Sequence, residues 1–328
     1  MANVIKSATT ISNGTIKRNN FLIGIDSSTV FGPTSSTNFW AGVVPPSSGY
    51  TVYEQKSQQG PSIRVAQNDS ELITIAKQYG GTNITTIYDA LNYFNGSSNY
   101  LVTNIDYPSI VTSGLTLLYD AGYIPSYPRT GTTCNDLIGT NNGSLLSGTT
   151  YSSSSGSTFV FNGVNNYISL SNTTTKNFTI GCWIRTTATS LTGSNAWEGN
   201  GIVYADVPGT FNDFVLAILN NKASWFTGNP DTSINGTTTI NTGAWFYLTV
   251  TKNGDVSTKQ LYVNGTSEAS GSSNANILNA NPNISIGGNT NDTRMFNGNI
   301  ANVQIYNRIL SSTEILQNFN AQKTRFGL

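Results

Sequence analysis

Apolar residues fall in short runs along this chain, separated by Gly, Asn, Ser and Thr, and beyond Pro108 their spacing is that of strands joined by turns. The runs predict strands over 115–119, 158–161, 167–170, 178–185, 201–204, 214–219, 223–226, 245–252, 259–263, 283–286 and 298–306. Within Phe178-Thr179-Ile180-Gly181-Cys182-Trp183-Ile184, the residues Ile180, Cys182 and Ile184 are assigned to one face and Phe178 to the other, with Trp183 out of step. Apolar groups on both faces predict a central strand. A helix closes the chain: Ser311-Ser312-Thr313-Glu314 has the form of a capping box, and Ile315, Leu316 and Phe319 supply an apolar stripe.

The pattern upstream is different. The runs Tyr50–Tyr53 and Ile63–Val65 flank the turn signal Gln58-Gln59-Gly60-Pro61 and predict a hairpin. Asn68 or Asp69 caps a helix that carries Leu72, Ile73, Ile75, Ala76 and Tyr79 and stops at Gly80-Gly81. A second helix is expected from Thr85 to Phe94, with Ile87, Leu91 and Phe94 on one face, and 100–105 returns as a strand. Residues 1–50 read as an extended, loop-rich arm with the apolar piece Phe21–Ile25 and a Pro45-Pro46 break. The fold class is therefore mainly β. A C-terminal antiparallel sandwich or jelly roll with a terminal helix (113–328) follows the arm (1–50) and a small α+β domain (51–112).

Composition narrows the functions open to such a chain. Charged residues are 10% of the total against about 25% in ordinary globular domains. The 16 basic and 16 acidic residues cancel, and no Lys/Arg cluster forms the footprint that a phosphate backbone requires, so no nucleic acid partner is expected. No stretch approaches the roughly 18 apolar residues of a membrane span, and MANVIKSATTISNG lacks the apolar region of an export signal. Neither a membrane nor secretion is expected, and Cys134 and Cys182 are expected to stay as thiols. Histidine is absent, which removes Ser-His-Asp and Cys-His catalysis and His-bearing zinc sites together.

Several motifs carry a family resemblance. Phe161-Asn162-Gly163-Val164-Asn165-Asn166-Tyr167-Ile168 resembles the FDGVDDYV strand pair of laminin-G-like, concanavalin A-type jelly rolls. The run from Phe178 to Ile184 looks like that family's central strand, Leu261-Tyr262-Val263-Asn264-Gly265 like its LYVNG hairpin, and Gly298 to Ser311 like its closing strand and helix cap. Leu118-Tyr119-Asp120-Ala121-Gly122, Ser126-Tyr127-Pro128 and Gly131-Thr132-Thr133 with Asp136-Leu137 resemble the opening of jelly rolls in tailed-phage structural proteins, Cys134 standing where that pattern has Trp. The segments Gly49–Tyr53 and Asp69–Ile73 resemble N-terminal domains attached to those proteins. The resemblance implies a virion component, a fibre or capsid decoration protein. Its N-terminal region would contact other virion proteins, with Phe39 and Trp40 as anchoring residues, and its jelly roll would face host or environmental glycans. A purely architectural capsid protein and a bacterial surface adhesin are the alternatives. A second copy of the chain is a further partner, although no heptad stalk is present.

Candidate chemistry is sparse. The hydrolases of this fold set carboxylates on one strand as E-x-D-x-x-E, and none of Glu54, Glu71, Glu198, Glu268 and Glu314 begins that pattern, so no enzyme is expected. For sugar, Trp197-Glu198-Gly199-Asn200 combines an aromatic platform with an amide and a carboxylate, and Tyr204, Asp206, Asp213, Trp225 and Phe226 lie on neighbouring runs. No cofactor is required. Calcium is the one candidate that the resemblance implies, at Asp120 with Asn162 and Asn302, but amides stand at Asn162, Asn165, Asn166 and Asn302 where the family pattern has acids.

Overall fold

The structure is a computed structural model that describes residues 3–5, 19–24, 50–54, 62–66, 69–86, 89–90, 93, 100–104 and 110–328, except 124, 154–156, 290–291 and 293. The chain divides into two compact units, the larger formed by Val111–Ser152 and Ser157–Phe319. In the smaller unit the hairpin of Tyr50–Glu54 and Ser62–Ala66 is paired from Tyr50 opposite Ala66 to Glu54 opposite Ser62. These strands belong to a five-stranded antiparallel sheet in the order Asn3–Ile5, Asn19–Gly24, Tyr100–Asn104, Tyr50–Glu54, Ser62–Ala66. The two segments read from sequence as part of an arm thus contribute strands to it. The helix Asp69–Gln78 buries Leu72, Ile75 and Ala76. Of the second helix, Asp89, Ala90 and Tyr93 are helical and Asp89 Oδ2 accepts the Thr85 and Thr86 amides, while the remainder lies partly outside the described residues. Phe39 and Trp40 lie outside them entirely.

The larger unit is a sandwich of an eight-stranded and a ten-stranded sheet. The eight-stranded sheet runs Thr266–Ser272, Thr258–Val263, Trp245–Asn253, Asn177–Arg185, Asn297–Tyr306, Thr158–Asn162, Thr150–Ser152, and Leu115–Asp120 also pairs with Asn297–Tyr306. The ten-stranded sheet runs Thr232–Thr239, Lys222–Thr227, Phe214–Leu219, Asn200–Tyr204, Asn283–Ile286, Tyr167–Ser171, Gly143–Leu146, Thr133–Cys134, with two short strands beside Asn200–Tyr204. Asn177–Arg185 is central, with long strands paired on both sides.

Period-2 alternation explains where its side chains go. Phe178, Ile180, Cys182 and Ile184 all enter the core between the sheets, which corrects the opposite placement of Phe178, since residues two apart must share a face. Trp183 points the other way, packed on Tyr247 with ring centroids 5.3 Å apart and stacked on Phe319 of the closing helix at 5.7 Å. Opposite Trp183 the pairing slips: Cys182 faces Val303 and Ile184 faces Ile300, so Ala301 and Asn302 form a bulge. The terminal helix Ser312–Gln322 begins on the expected box, Ser311 N donating to Glu314 Oε2 (2.9 Å) and Glu314 N to Ser311 Oγ (3.3 Å). Ile315 is buried, but Leu316 is 44% exposed and drops out of the stripe.

Two hairpins are set by turn chemistry. Asn220 and Asn221 both take positive φ (51° and 61°), the two-residue geometry that matches strand twist and joins Phe214–Leu219 to Lys222–Thr227. Asn264-Gly265 does the same between Thr258–Val263 and Thr266–Ser272. Strands without apolar alternation, Thr232–Thr239 and Thr266–Ser272, escape sequence reading because they lie at sheet edges. Among the described residues no helix is long and apolar enough to cross a membrane. Both cysteines are free and buried, and burial pushes the Cys134 thiol up to about 12. A thiol reagent applied near neutral pH should therefore label neither cysteine in the native protein and both after denaturation.

Candidate functional site

One end of the sandwich is built from the segment that leaves the central strand at Arg185 and from the start of the closing strand at Asn297. Nine-residue strand Asn177–Arg185 carries a single charge, at its last position, where the chain leaves the apolar interior. Arg185 Nε donates to the Gly243 carbonyl (2.7 Å), and Thr186 Oγ1 donates to the Asn297 carbonyl (2.6 Å), which ties the two segments together. Between them lies a groove of about 410 Å³ lined by Val160, Phe161, Arg185, Thr186, Thr187, Ala188 and Asn297–Asn299. A smaller hollow of about 180 Å³ shares Thr186, Ala188 and Asn297 and extends past Ser190 and Asn200 to Met295. The combined lining is rich in amides and hydroxyls, with one guanidinium.

The Trp197 segment borders the second hollow. Asn200 Nδ2 donates to the Met295 carbonyl (2.9 Å) and its Oδ1 accepts the Leu191 amide, so this amide holds the segment in place. Arg294 lies over the Trp197 ring at 5.2 Å and its Nη1 donates to the Trp197 carbonyl (2.6 Å). Glu198 is turned inward on its own turn: Oε2 accepts the Ser194 and Asn195 amides at 2.7 Å, and these bonds lower its pKa. Trp197 packs partly against a satellite cluster of Ala196, Tyr204, Val215, Ala217 and Phe226 on the outer face of the ten-stranded sheet. It is half platform and half cover.

The structure does not bring the other sugar candidates to this surface. Trp225 is 0% exposed, wedged between Phe178 (6.1 Å) and Phe214 (5.7 Å) in the main core. An inward position on a sandwich strand buries even an indole, and sequence could not tell which parity pointed inward. Tyr204 is buried under Ala196 and Trp197, its hydroxyl donating to Asp206 Oδ2 at 2.7 Å. Asp206 and Asp213 are buried at the opposite end of the sandwich, in the loop from Tyr204 to Phe214.

The calcium set implied by resemblance is only half assembled. Asp120 stands opposite Asn302 on neighbouring strands, but Asn162 stands opposite Asn297, five residues and about 17 Å further along. Asn162 Oδ1 instead accepts the amides of Val164, Asn165 and Asn166 and closes the turn. The Asn302 amide is buried with no hydrogen-bond partner on either atom, and Asp120 Oδ1 accepts the Gly122 amide. One carboxylate and one amide fall short of the oxygens a hard divalent cation needs, so these three residues do not fit calcium as a set. Among the described residues no group of three or more His, Cys, Asp or Glu could hold a metal ion.

The far end of the sandwich holds two buried lysines, Lys252 and Lys259, directly opposite each other on adjacent strands. Lys259 Nζ donates to Thr227 Oγ1 (3.2 Å), Thr232 Oγ1 (2.8 Å) and the Thr232 carbonyl, and burial pulls its pKa down to about 7. Lys252 Nζ donates to the Lys176 carbonyl (2.9 Å) and the Asn276 carbonyl. Its pKa falls to about 8, chiefly through burial and then through Lys176. Sequence patterning missed both, because a lysine in an alternating strand reads as an outward position. Arg185, Thr186 and Asn297 were missed as well, and their one signal was a lone charge ending an apolar run.

Residues 162–316 match the family model of the concanavalin A-like lectin/glucanases superfamily. No curated protein matches the chain. Among solved structures, the binding domain of botulinum neurotoxin serotype D/C is similar at 16% identity and a TM-score of 0.48, over 63% of this chain and 52% of that one. The binding domain of a paraclostridial mosquitocidal protein gives 19% and 0.47 over 63% and 52%. Domain 4 of an extracellular arabinanase from Geobacillus stearothermophilus, in complex with arabinotriose, gives 18% and 0.48 over 63% and 98%. The chain spans about half the length of the toxin domains that it matches.

Proposed function

We propose that this protein is a non-catalytic display module whose jelly roll binds carbohydrate in the groove between Arg185–Ala188 and Asn297–Asn299. The observation that carries the reading is the make-up of that groove, where hydroxyl, amide and guanidinium groups line a hollow on a domain of the lectin/glucanase superfamily. Sugars are matched by such donors and acceptors, and Asn200, three residues beyond the partly exposed Trp197, lines the adjoining hollow.

Absence of catalysis is supported by how the carboxylates are used. Glu198 and Glu314 accept backbone amides at helix starts, and Glu268 accepts the Thr237 amide (2.7 Å) and the Thr238 hydroxyl (2.5 Å). Asp206 and Asp213 are buried, at 7% and 0% exposure, where no glycosidic bond could lie between them. The virion setting, with the N-terminal region contacting capsid or tail proteins, is supported by the sequence resemblance of residues 118–137 and 49–73 to tailed-phage structural proteins.

A glycan array probed with the full-length protein tests the binding role. A hit is expected to weaken by about tenfold in Arg185→Ala and in Asn297→Ala, each removing on the order of one charged or neutral hydrogen bond. Silence of the wild-type protein across the array would instead favour a purely architectural coat. Labelled antibody on intact phage particles tests the setting, and a particle population without label counts against it.

A further inference from the structure

Loop 205–213 buries two acids, and among the described residues neither has a cationic partner. Asp206 is 7% exposed and Asp213 is 0% exposed, and their carboxyls hydrogen-bond to each other. Tyr204 OH donates to Asp206 Oδ2 (2.7 Å) and Val207 N to Asp213 Oδ2 (2.9 Å), whereas Asp213 Oδ1 is buried with no donor from the surrounding chain. A methyl group on Gly228 would collide with both Asp213 Oδ1 and the Phe211 carbonyl oxygen, so backbone closes that side of the carboxyl. The charged groups that act on the pair from neighbouring segments are Asp231 and Asp292, both negative, while Arg294 acts on the Tyr204 hydroxyl but on neither carboxyl. Lys252 and Lys259 lie at the same end of the sandwich, but they bond to threonine oxygens and to the Lys176 and Asn276 carbonyls.

Two ionised carboxylates are acceptors only, so a contact between them is repulsive and satisfies neither. One proton turns that contact into an O–H···O bond to a charged acceptor, the stronger class of hydrogen bond, and halves the charge taken out of water. Burial pushes both carboxyls above the usual range, and the Asp206 charge adds to the effect at Asp213, which rises to about 8. The Tyr204 hydroxyl, pushed far up by burial, stays a donor throughout. Backbone bonds carry the pair's state outward: Gly228 N donates to the Asp213 carbonyl (3.0 Å), Ala280 N to the Asn212 carbonyl (2.9 Å) and Asn281 Nδ2 to the Asp206 carbonyl (3.1 Å).

From this geometry we infer that Asp206 and Asp213 share one proton that latches loop 205–213 onto Gly228, Ala280 and Asn281, and that loss of the proton releases the loop. The latch lies at the opposite end from the groove and does not rest on carbohydrate binding. The fold keeps a proton that the unfolded chain gives up at about pH 4, so the stability it supplies is full below that pH and is lost as pH rises through about 8. Amide hydrogen exchange on the full-length protein tests the latch, each rate being corrected for its intrinsic dependence on pH. Between about pH 6 and pH 9 the Val207 and Ala280 amides are expected to lose about tenfold in protection, the factor for one pH unit beyond the titration, while those of Asn177–Arg185 keep theirs. In Asp213→Asn the amide nitrogen donates to Asp206 and the amide oxygen accepts from Val207 with no proton to lose, so equal protection is expected at both pH values. This variant also separates the pair from Lys252 and Lys259, which titrate in the same range. If Asp213→Asn does not fold, the infrared band of a protonated carboxyl is followed in the wild-type protein, where it is expected at about pH 7 and gone by about pH 10. Wild-type protection that ignores pH overturns the latch. So does an Asp213→Asn protein that loses protection as the wild type does, or a wild-type protein without the carboxyl band at neutral pH.

Discussion

Replacing Trp225 with alanine is expected to lower the unfolding free energy by about 3–5 kcal/mol, the range for removing a large aromatic from a close-packed core. The indole fills the space between Phe178 and Phe214, and inward residues from both sheets surround it, so little can collapse into the cavity left behind. Trp197→Ala should cost about 1–2 kcal/mol, because its ring covers a satellite cluster and keeps one face against Arg294. Urea unfolding of the two variants measures the difference. Equal losses would mean that Trp225 is not the core residue described, and a Trp225→Ala protein of wild-type stability would overturn the packing account altogether.

Substituting methionine for Lys259 should change the pH dependence of stability rather than only its level. In the unfolded chain this amine keeps its proton up to about pH 10.5, whereas in the fold it releases it near 7. Below about pH 7 both states are protonated and the fold bears the whole penalty of a buried charge. Between about 7 and 10 the unfolded chain holds the extra proton, so stability contributed at this site rises with pH. Wild type is therefore expected to gain on the order of a few kcal/mol over Lys259→Met between pH 6 and pH 10. Lys252, pulled down to about 8, gives a similar rise in both proteins and cancels in the comparison. Buried tyrosines such as Tyr119 and Tyr306, whose hydroxyls are pushed far up by burial, act in the opposite direction only above about pH 10. Parallel stability curves for the two proteins would show that Lys259 stays charged inside the fold.

Most of the sandwich was legible because each of its inner strands needs apolar side chains at every second position, and that need is written locally. The runs that predicted strands over 214–219 and 283–286 appear with those bounds, and the others differ by a residue or two at their ends. The capping box at Ser311 and the Asn-Gly turn at 264–265 are equally local, since the donors and acceptors they join lie within a few residues. Edge strands such as Thr232–Thr239 were not legible, because a strand with one solvent face and one open edge tolerates almost any polar sequence.

The functional surface divides along the same line. Sequence by itself determined the fold class, the positions of most jelly-roll strands along the chain, the absence of imidazole chemistry and the carbohydrate-type composition around Trp197. Only the tertiary structure decided that Trp225 and Tyr204 are buried, that Asn162 stands far from Asp120, and that Arg185 meets Asn297 in a groove although 112 positions separate them. The reason is physical. Which face of a strand points inward, and which loop ends meet, depend on sheet pairing between distant segments, and a bulge such as that at Ala301–Asn302 shifts this pairing with no local mark in the sequence.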